Sequence, residues 1–296
     1  MSYPAGPPQP PSCPGGSPPG AGPVGCVRHP DRPTGLRCTR CERPACPDCL
    51  REASVGHQCV DCVAEGNRGA RRGVTIAGAE PGTRPIVVPV LIALNVVVFA
   101  WTVLQAGSLG ANVRASLFRE WALVPGLVAD GECWRVLTSG FLHIGPLHLV
   151  FNMMALWIIG RDIEIVLGRG RFLAVYLVAL LGGSAAVMLF YPPDARVAGA
   201  SGAVFGLMGG LAVVLRRLKV PAGQVLGLIA VNVVISIVLP GVSLIGHLGG
   251  LVVGAVATAA LVYAPARNRP RYQVGALVGL TVLLSAVIVL SVGGLG

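Results

Sequence analysis

The sequence predicts an all-α polytopic membrane bundle preceded by a small metal-binding module. Three observations carry that expectation. Of 296 residues, 53% are hydrophobic and only 12% are charged, too few charges for an ordinary soluble surface. Seven apolar stretches follow residue 85, each close to the roughly 20 residues a helix needs to cross a hydrocarbon core about 30 Å thick. Seven of the nine cysteines fall between Cys26 and Cys62.

The charges divide the chain between two solvents. Residues 1–84 hold 10 Arg and 7 acids, whereas residues 85–296 hold 13 basic and 6 acidic groups. The net charge of +10 would suit nucleic acid, but no basic stripe is interleaved with aromatics, and membrane topology accounts for it better. No Asp or Glu follows Asp194. That excludes acidic proton relays, carboxylate metal cages and paired-acid catalysis from the last hundred or so residues. Chemistry there falls to Ser, His, Asn and the backbone.

In chain order, residues 1–23 are mostly Pro, Gly, Ser and Ala and read as a disordered tail. They lack the basic-then-apolar order of a secretion signal. Residues 24–64 form the Cys-rich module and 65–85 an Arg- and Gly-containing linker. The apolar segments are 86–106, 147–167, 171–190, 200–216, 221–239, 244–263 and 273–293. Segment 200–216 is short and Gly-rich, and segment 147–167 carries Arg161, Asp162 and Glu164, so both are weaker by hydropathy alone. A cytoplasmic N-terminus places Arg68, Arg71, Arg72 and Arg84 inside, with Arg169 and Arg171, then Arg216, Arg217 and Lys219, then Arg267, Arg269 and Arg271. The opposite loops carry only Arg114, Arg119, Arg135 and Arg196, as the positive-inside rule requires. The loop at 107–146 is then extracytoplasmic, long and aromatic.

The module reads Cys26-x2-His29, Cys38-x2-Cys41, Cys46-x2-Cys49 and Cys59-x2-Cys62. Four ligand pairs make two tetrahedral sites, and thiolate and imidazole at this spacing suit Zn²⁺. A disulfide framework is the alternative, but on the cytoplasmic side thiols stay reduced. A segment this short lacks a sufficient apolar core, so the metal would supply much of its folding free energy. The module resembles B-box-type zinc fingers, which implies that Cys26, His29, Cys46 and Cys49 share one ion and Cys38, Cys41, Cys59 and Cys62 the other. His57 could replace Cys59 but is expected to pack or face solvent. Cys13 and Cys133 have no partner at useful spacing.

An ionisable residue inside a span is costly and so a functional candidate. His148 and Asn152, four apart, share one helical face. Ser201 opens the fourth apolar segment, and His247 lies near the start of the sixth. Gly202, Gly206 and Gly210 recur every four residues, as do Gly246, Gly250 and Gly254. Stripes of this kind let two backbones approach closely in lipid, and packing one on the other would bring Ser201 toward His247. For one Ser and one His alone, generic helix packing with a buried Ser and a structurally bonded His is the better account.

The ordered string tips that balance. Trp134-Arg135, His143, His148-x3-Asn152, Gly199-Ala200-Ser201-Gly202 and His247-x2-Gly250-x3-Gly254 together resemble the rhomboid family of intramembrane serine proteases over residues 86–265. A Cys-rich module ahead of such a domain is similar to an arrangement in actinobacterial members. The resemblance implies a bundle of six core transmembrane helices, to which segment 273–293 adds a C-terminal one. It implies a catalytic dyad of Ser201 and His247, and an oxyanion hole from His148, Asn152 and the Ser201 N–H. His143 would brace the outer loop and Trp134-Arg135 would anchor it. Many members carry Tyr where Phe205 stands, a ring that stacks on the catalytic His. The expected activity is cleavage of transmembrane protein substrates near the outer face. Membrane lipid is a further expected partner, with a cytoplasmic protein partner for the zinc module and no nucleic acid. The alternative is a catalytically silent binder of transmembrane helices; a transporter would show inverted repeats, and none is visible.

Overall fold

A computed structural model of the chain describes residues 24–68, 73–80, 84–238 and 241–293. The tail expected at 1–23, with Cys13, lies outside the described residues. The chain divides into two compact units at Arg72 and Gly73.

In the first unit a 3-10 turn at Pro47–Cys49 leads into β1 (Leu50–Glu52), which pairs antiparallel with β2 (His57–Cys59), followed by α1 (Val60–Arg68). Six of the eight buried residues of its core are Cys26, Cys38, Cys46, Cys49, Cys59 and Cys62, joined only by Ala45 and Leu50. So small an apolar set cannot offset chain entropy unaided. Residues 65–68 complete α1, so regular structure reaches into the segment expected as linker. From the other side, residues 73–80 belong to the second unit. There Thr75 closes a tight turn by accepting from the Ala79 N–H at 3.1 Å, and Ala77 is fully buried.

The second unit is helical. α2 (Val87–Ala106) ends where Gly107 takes the left-handed conformation that stops a helix without a Cβ penalty. Three short helices follow, α3 (Ser116–Trp121), α4 (Pro125–Ala129) and α5 (Arg135–Thr138), so the long aromatic stretch is folded rather than a bare connector. α6 (Gly145–Ala155) starts at Gly145-Pro146, where proline's missing N–H costs nothing. It continues through a π turn at Leu156–Gly160 into α7 (Arg161–Leu167). α8 (Arg169–Phe190), α9 (Ser201–Leu218), α10 (Gly223–Val238), α11 (Leu244–Val262) and α12 (Arg269–Gly293) complete the unit.

Five of these helices are long and apolar enough to cross a membrane, or six if the pair Arg135–Phe141 and Gly145–Leu167, bent by 93°, counts as one. Every apolar segment expected from the sequence is helical. The fifth, at 221–239, gives a helix of only 16 residues. α8, α9 and α11 pack mutually at the centre, and α12 lies mainly against α8.

Glu164, which weakens the second apolar segment by hydropathy, has a structural reason to be there. Its carboxylate is 2% exposed and accepts from the N–H groups of Ile86, Val87 and Val88 at 2.7, 2.9 and 2.9 Å. Those donors at the start of α2 have no intrahelical partner, and a negative charge complements that end of the helix dipole. Gln273 anchors α12: its Nε2 donates to the carbonyls of Ala77 and Leu261, and its Oε1 accepts from Arg171 Nε at 2.8 Å.

Candidate active site

Ser201 is the first residue of α9, and Ala200 before it supplies no side-chain cap. The first-turn N–H groups are therefore left without helical partners at the positive end of the dipole. The two glycine stripes meet. A Cβ on Gly250 would collide with the Gly202 carbonyl, and one on Gly254 with the Gly206 carbonyl, so α9 and α11 touch backbone to backbone. This approach sets His247 Nε2 2.7 Å from Ser201 Oγ. The His247 ring is 6% exposed and stacks on Phe205, with centroids 4.2 Å apart and planes inclined by 15°. Ser243 starts α11 one turn earlier, its side chain accepting from the Gly246 N–H at 3.1 Å.

His148 reaches the same spot from α6. At Gly199, where φ is +143°, a Cβ would lie 2.8 Å from His148 Cε1, 3.0 Å from His148 Nε2 and 3.3 Å from Ser201 Oγ. Only glycine leaves that gap between imidazole and hydroxyl open. His148 Nδ1 accepts from the Ile144 N–H at 3.2 Å, which puts the ring proton on Nε2, beside Gly199. Asn152, one turn further along α6 and 7% exposed, donates from Nδ2 to the His148 carbonyl at 2.9 Å. One of its two amide hydrogens is thereby committed within the helix, and one is left.

His143 is 1% exposed and stands edge-on to His148 with centroids 5.1 Å apart, but among the described residues its ring nitrogens have no hydrogen-bond partner. The bracing expected of it runs through its backbone: Asn112 Nδ2 donates to the His143 carbonyl at 2.7 Å, and Asn112 Oδ1 accepts from the Gly145 N–H at 3.2 Å. Arg135, 4% exposed, pairs with Glu132 and donates to the carbonyls of Arg119 and Ala122 at 2.7 and 2.8 Å. Trp134 stays half-exposed and donates from Nε1 to the Glu120 carbonyl at 3.1 Å.

Sequence reasoning misses Ser236 of α10. Its Oγ lies 2.7 Å from His247 Nδ1 and donates to the Asn232 carbonyl, also at 2.7 Å. The available signal is the Asn232-x3-Ser236 spacing, two polar groups on one face of an apolar helix.

In the first unit the cysteines form two four-residue groups, Cys26, His29, Cys46 and Cys49, and Cys38, Cys41, Cys59 and Cys62, with ligand atoms of each within 4.8 Å of one another. Each could hold a metal ion. His29 offers Nδ1, 3.4 and 3.3 Å from the sulfurs of Cys46 and Cys49. His57 is exposed in β2 and belongs to neither group. Backbone N–H groups of Cys46, Arg28 and His29 hold the Cys26 thiol down at about 6 against its burial. At Cys38 burial is outweighed by the N–H groups of Cys59, Cys41 and Arg40, which bring it to about 6 as well. Burial and the neighbouring thiols of Cys46 and Cys26 push Cys49 up to about 11.

A helical unit that sets a buried imidazole against a serine hydroxyl at a helix N-terminus holds the parts that acyl transfer requires: a nucleophile, a base and unpaired N–H donors. Residues 130–264 match the family model described as the rhomboid domain. The chain is 37% identical over 192 residues to the rhomboid protease GluP of Bacillus subtilis (strain 168), covering 63% of this chain and 37% of that protein. It is 36% identical over 137 residues to RHOMBOID-like protein 4 of Arabidopsis thaliana, covering 44% of this chain and 34% of that protein. It is 26% identical over 208 residues to the rhomboid protease AarA of Providencia stuartii, covering 60% and 73% respectively. The chain thus spans only about a third of the length of the first two of these relatives. Over residues 130–264 the chain is similar to the rhomboid domain.

Proposed function

We propose that the chain is an intramembrane serine endopeptidase that cleaves transmembrane segments of membrane proteins near the extracytoplasmic face, with its N-terminal module in the cytoplasm. The observation that carries this reading is the 2.7 Å contact of Ser201 Oγ with His247 Nε2 at the open end of α9. Free serine hydroxyl is a weak nucleophile, and a base at this distance can take its proton as oxygen attacks.

In the first half-reaction the Ser201 proton passes to His247 Nε2 while Oγ bonds to the substrate carbonyl carbon. The carbonyl electrons move onto oxygen, where the His148 Nε2–H, the uncommitted Asn152 N–H and the Ser201 backbone N–H can donate; losing one such donor typically costs about 2.7–4 kcal/mol of barrier. When the carbonyl re-forms, the C–N bond breaks and the departing amine takes the proton from Nε2. Water then repeats the sequence on the acyl-enzyme: its proton goes to Nε2, its oxygen bonds to the acyl carbon, and Ser201 Oγ leaves and regains the proton. No carboxylate is required, in keeping with the absence of Asp and Glu after Asp194.

The two cysteine groups fit zinc. A tetrahedral ion with 2.3 Å sulfur bonds has sulfur–sulfur edges of about 3.8 Å, and the Cys41 and Cys59 sulfurs stand 3.7 Å apart. Cys26, His29, Cys46 and Cys49 would hold one ion and Cys38, Cys41, Cys59 and Cys62 the other. Both would be coordinatively closed and structural, serving a module that contacts a cytoplasmic protein. The reading is tested by reconstituting the chain in liposomes with a panel of single-span proteins. Cleavage by wild type and none by Ser201→Ala is expected; equal behaviour of the two would leave only a non-catalytic binder of transmembrane helices.

A further inference from the structure

We infer that Ser236 is a positioning residue that fixes the tautomer and orientation of His247; the inference rests on the proteolytic reading above. A serine hydroxyl has one hydrogen and two lone pairs. Ser236 spends its hydrogen on the Asn232 carbonyl 2.7 Å away, one turn back along α10. What it offers His247 Nδ1, also at 2.7 Å, is therefore a lone pair, and Nδ1 must carry the proton. A neutral imidazole with hydrogen on Nδ1 has its free lone pair on Nε2, the atom that faces Ser201 Oγ. The hydrogen counts define one direction along the whole chain: Ser201 donates to His247, His247 to Ser236, and Ser236 to Asn232.

Burial gives this chain its weight. His247 is 6% and Ser236 5% exposed, so water has little room to replace the hydroxyl. Ser236 is also the buried residue of α10, whose other described side chains are half-buried or exposed. Stacking on Phe205 restrains the imidazole plane but not rotation within that plane, nor which nitrogen carries hydrogen. Ser236 supplies the missing restraint. Once Nε2 has taken the Ser201 proton, the imidazolium still donates from Nδ1 to an oxygen already polarised by its own bond to a carbonyl.

Wild type, Ser236→Ala, Ser236→Thr and Ser201→Ala are compared on one cleaved substrate in liposomes, with melting temperature as the folding control. Ser236→Ala is expected to lower kcat by about tenfold, with KM little changed and the melting temperature lowered by only a few degrees, the cost of one buried hydrogen bond left unmade. Ser236→Thr, which keeps both the hydroxyl and the bond four residues back, is expected to recover most of the loss. Wild-type kcat in Ser236→Ala overturns the inference alone. So does a loss that Thr does not rescue, or one that follows KM and melting temperature instead of kcat. Equal turnover by wild type and Ser201→Ala overturns the proteolytic reading, and the inference with it.

Discussion

The Phe205 ring lies almost parallel to the His247 imidazole, their centroids 4.2 Å apart, one turn of α9 beyond Ser201. Stacked rings contribute about 0.5–1.5 kcal/mol beyond the area they bury, and here that energy holds the plane of the proposed base. Phe205→Ala is expected to reduce kcat about three- to tenfold on top of any loss of stability from the cavity. Phe205→Tyr is expected to stay near wild type. Steady-state cleavage of a reconstituted substrate reads both.

The Glu164 carboxylate is the cap of a helix to which it does not belong. Glu164→Gln keeps the shape but replaces one accepting oxygen by a donor that faces N–H groups at the start of α2. Hydrogen bonds to a charged group contribute about 1.5–3 kcal/mol each, so a fall in stability of about 2–4 kcal/mol is expected, read as a lowered melting temperature in detergent. Substrate KM in the fraction that remains folded should be unaltered.

Gly250 and Gly254 have no room for a side chain. Gly250→Val is expected to force α11 away from the Gly202 carbonyl, at a cost above the about 1–3 kcal/mol of ordinary overpacking because the obstacle is backbone. Cleavage should vanish together with the folded protein. Gly275→Ala, where a Cβ meets nothing within 4 Å, is the matched control and should behave as wild type.

Metal held by the cysteine module, as proposed, should be lost in acid. Cys26 and Cys38 sit at about 6, below the usual thiol value of 9.0. A depressed acid contributes stability that is present above its unfolded value and lost as pH falls toward the folded one. Protons compete with metal for the ligand sulfurs, so acidification is expected to release it. Metal analysis of the purified chain across a pH series should find two zinc ions per chain at neutral pH and release on acidification, with the fold of the module lost alongside. Retention of both ions well below pH 5 would contradict this.

Much of this architecture is legible in the sequence because lipid simplifies it. Four-residue glycine spacing has few uses other than close helix contact, and Gly202-x3-Gly206 against Gly250-x3-Gly254 is what joins Ser201 to His247. The cysteine spacing is similarly restrictive, and the residues gather in the two groups of four that the zinc-finger resemblance implies, each able to hold a metal ion. What escapes is what depends on a partner far along the chain. Glu164 looks like a flaw in a span until α2 is placed beside it. Asn112 is an ordinary loop residue until its amide meets His143 and Gly145. Ser236 alone reads as a helix serine bonded four residues back, which it is, and only the position of His247 shows where its other lone pair goes.

Activation of Ser201 by His247 is the step on which the proposed chemistry most depends. Treating the folded protein with a fluorophosphonate and mapping the adduct by peptide mass spectrometry tests this directly. One modified residue, Ser201, is expected in wild type, with labelling slowed by orders of magnitude in His247→Ala and absent in Ser201→Ala. Equal labelling of wild type and His247→Ala, or an adduct on a different serine, would contradict that activation.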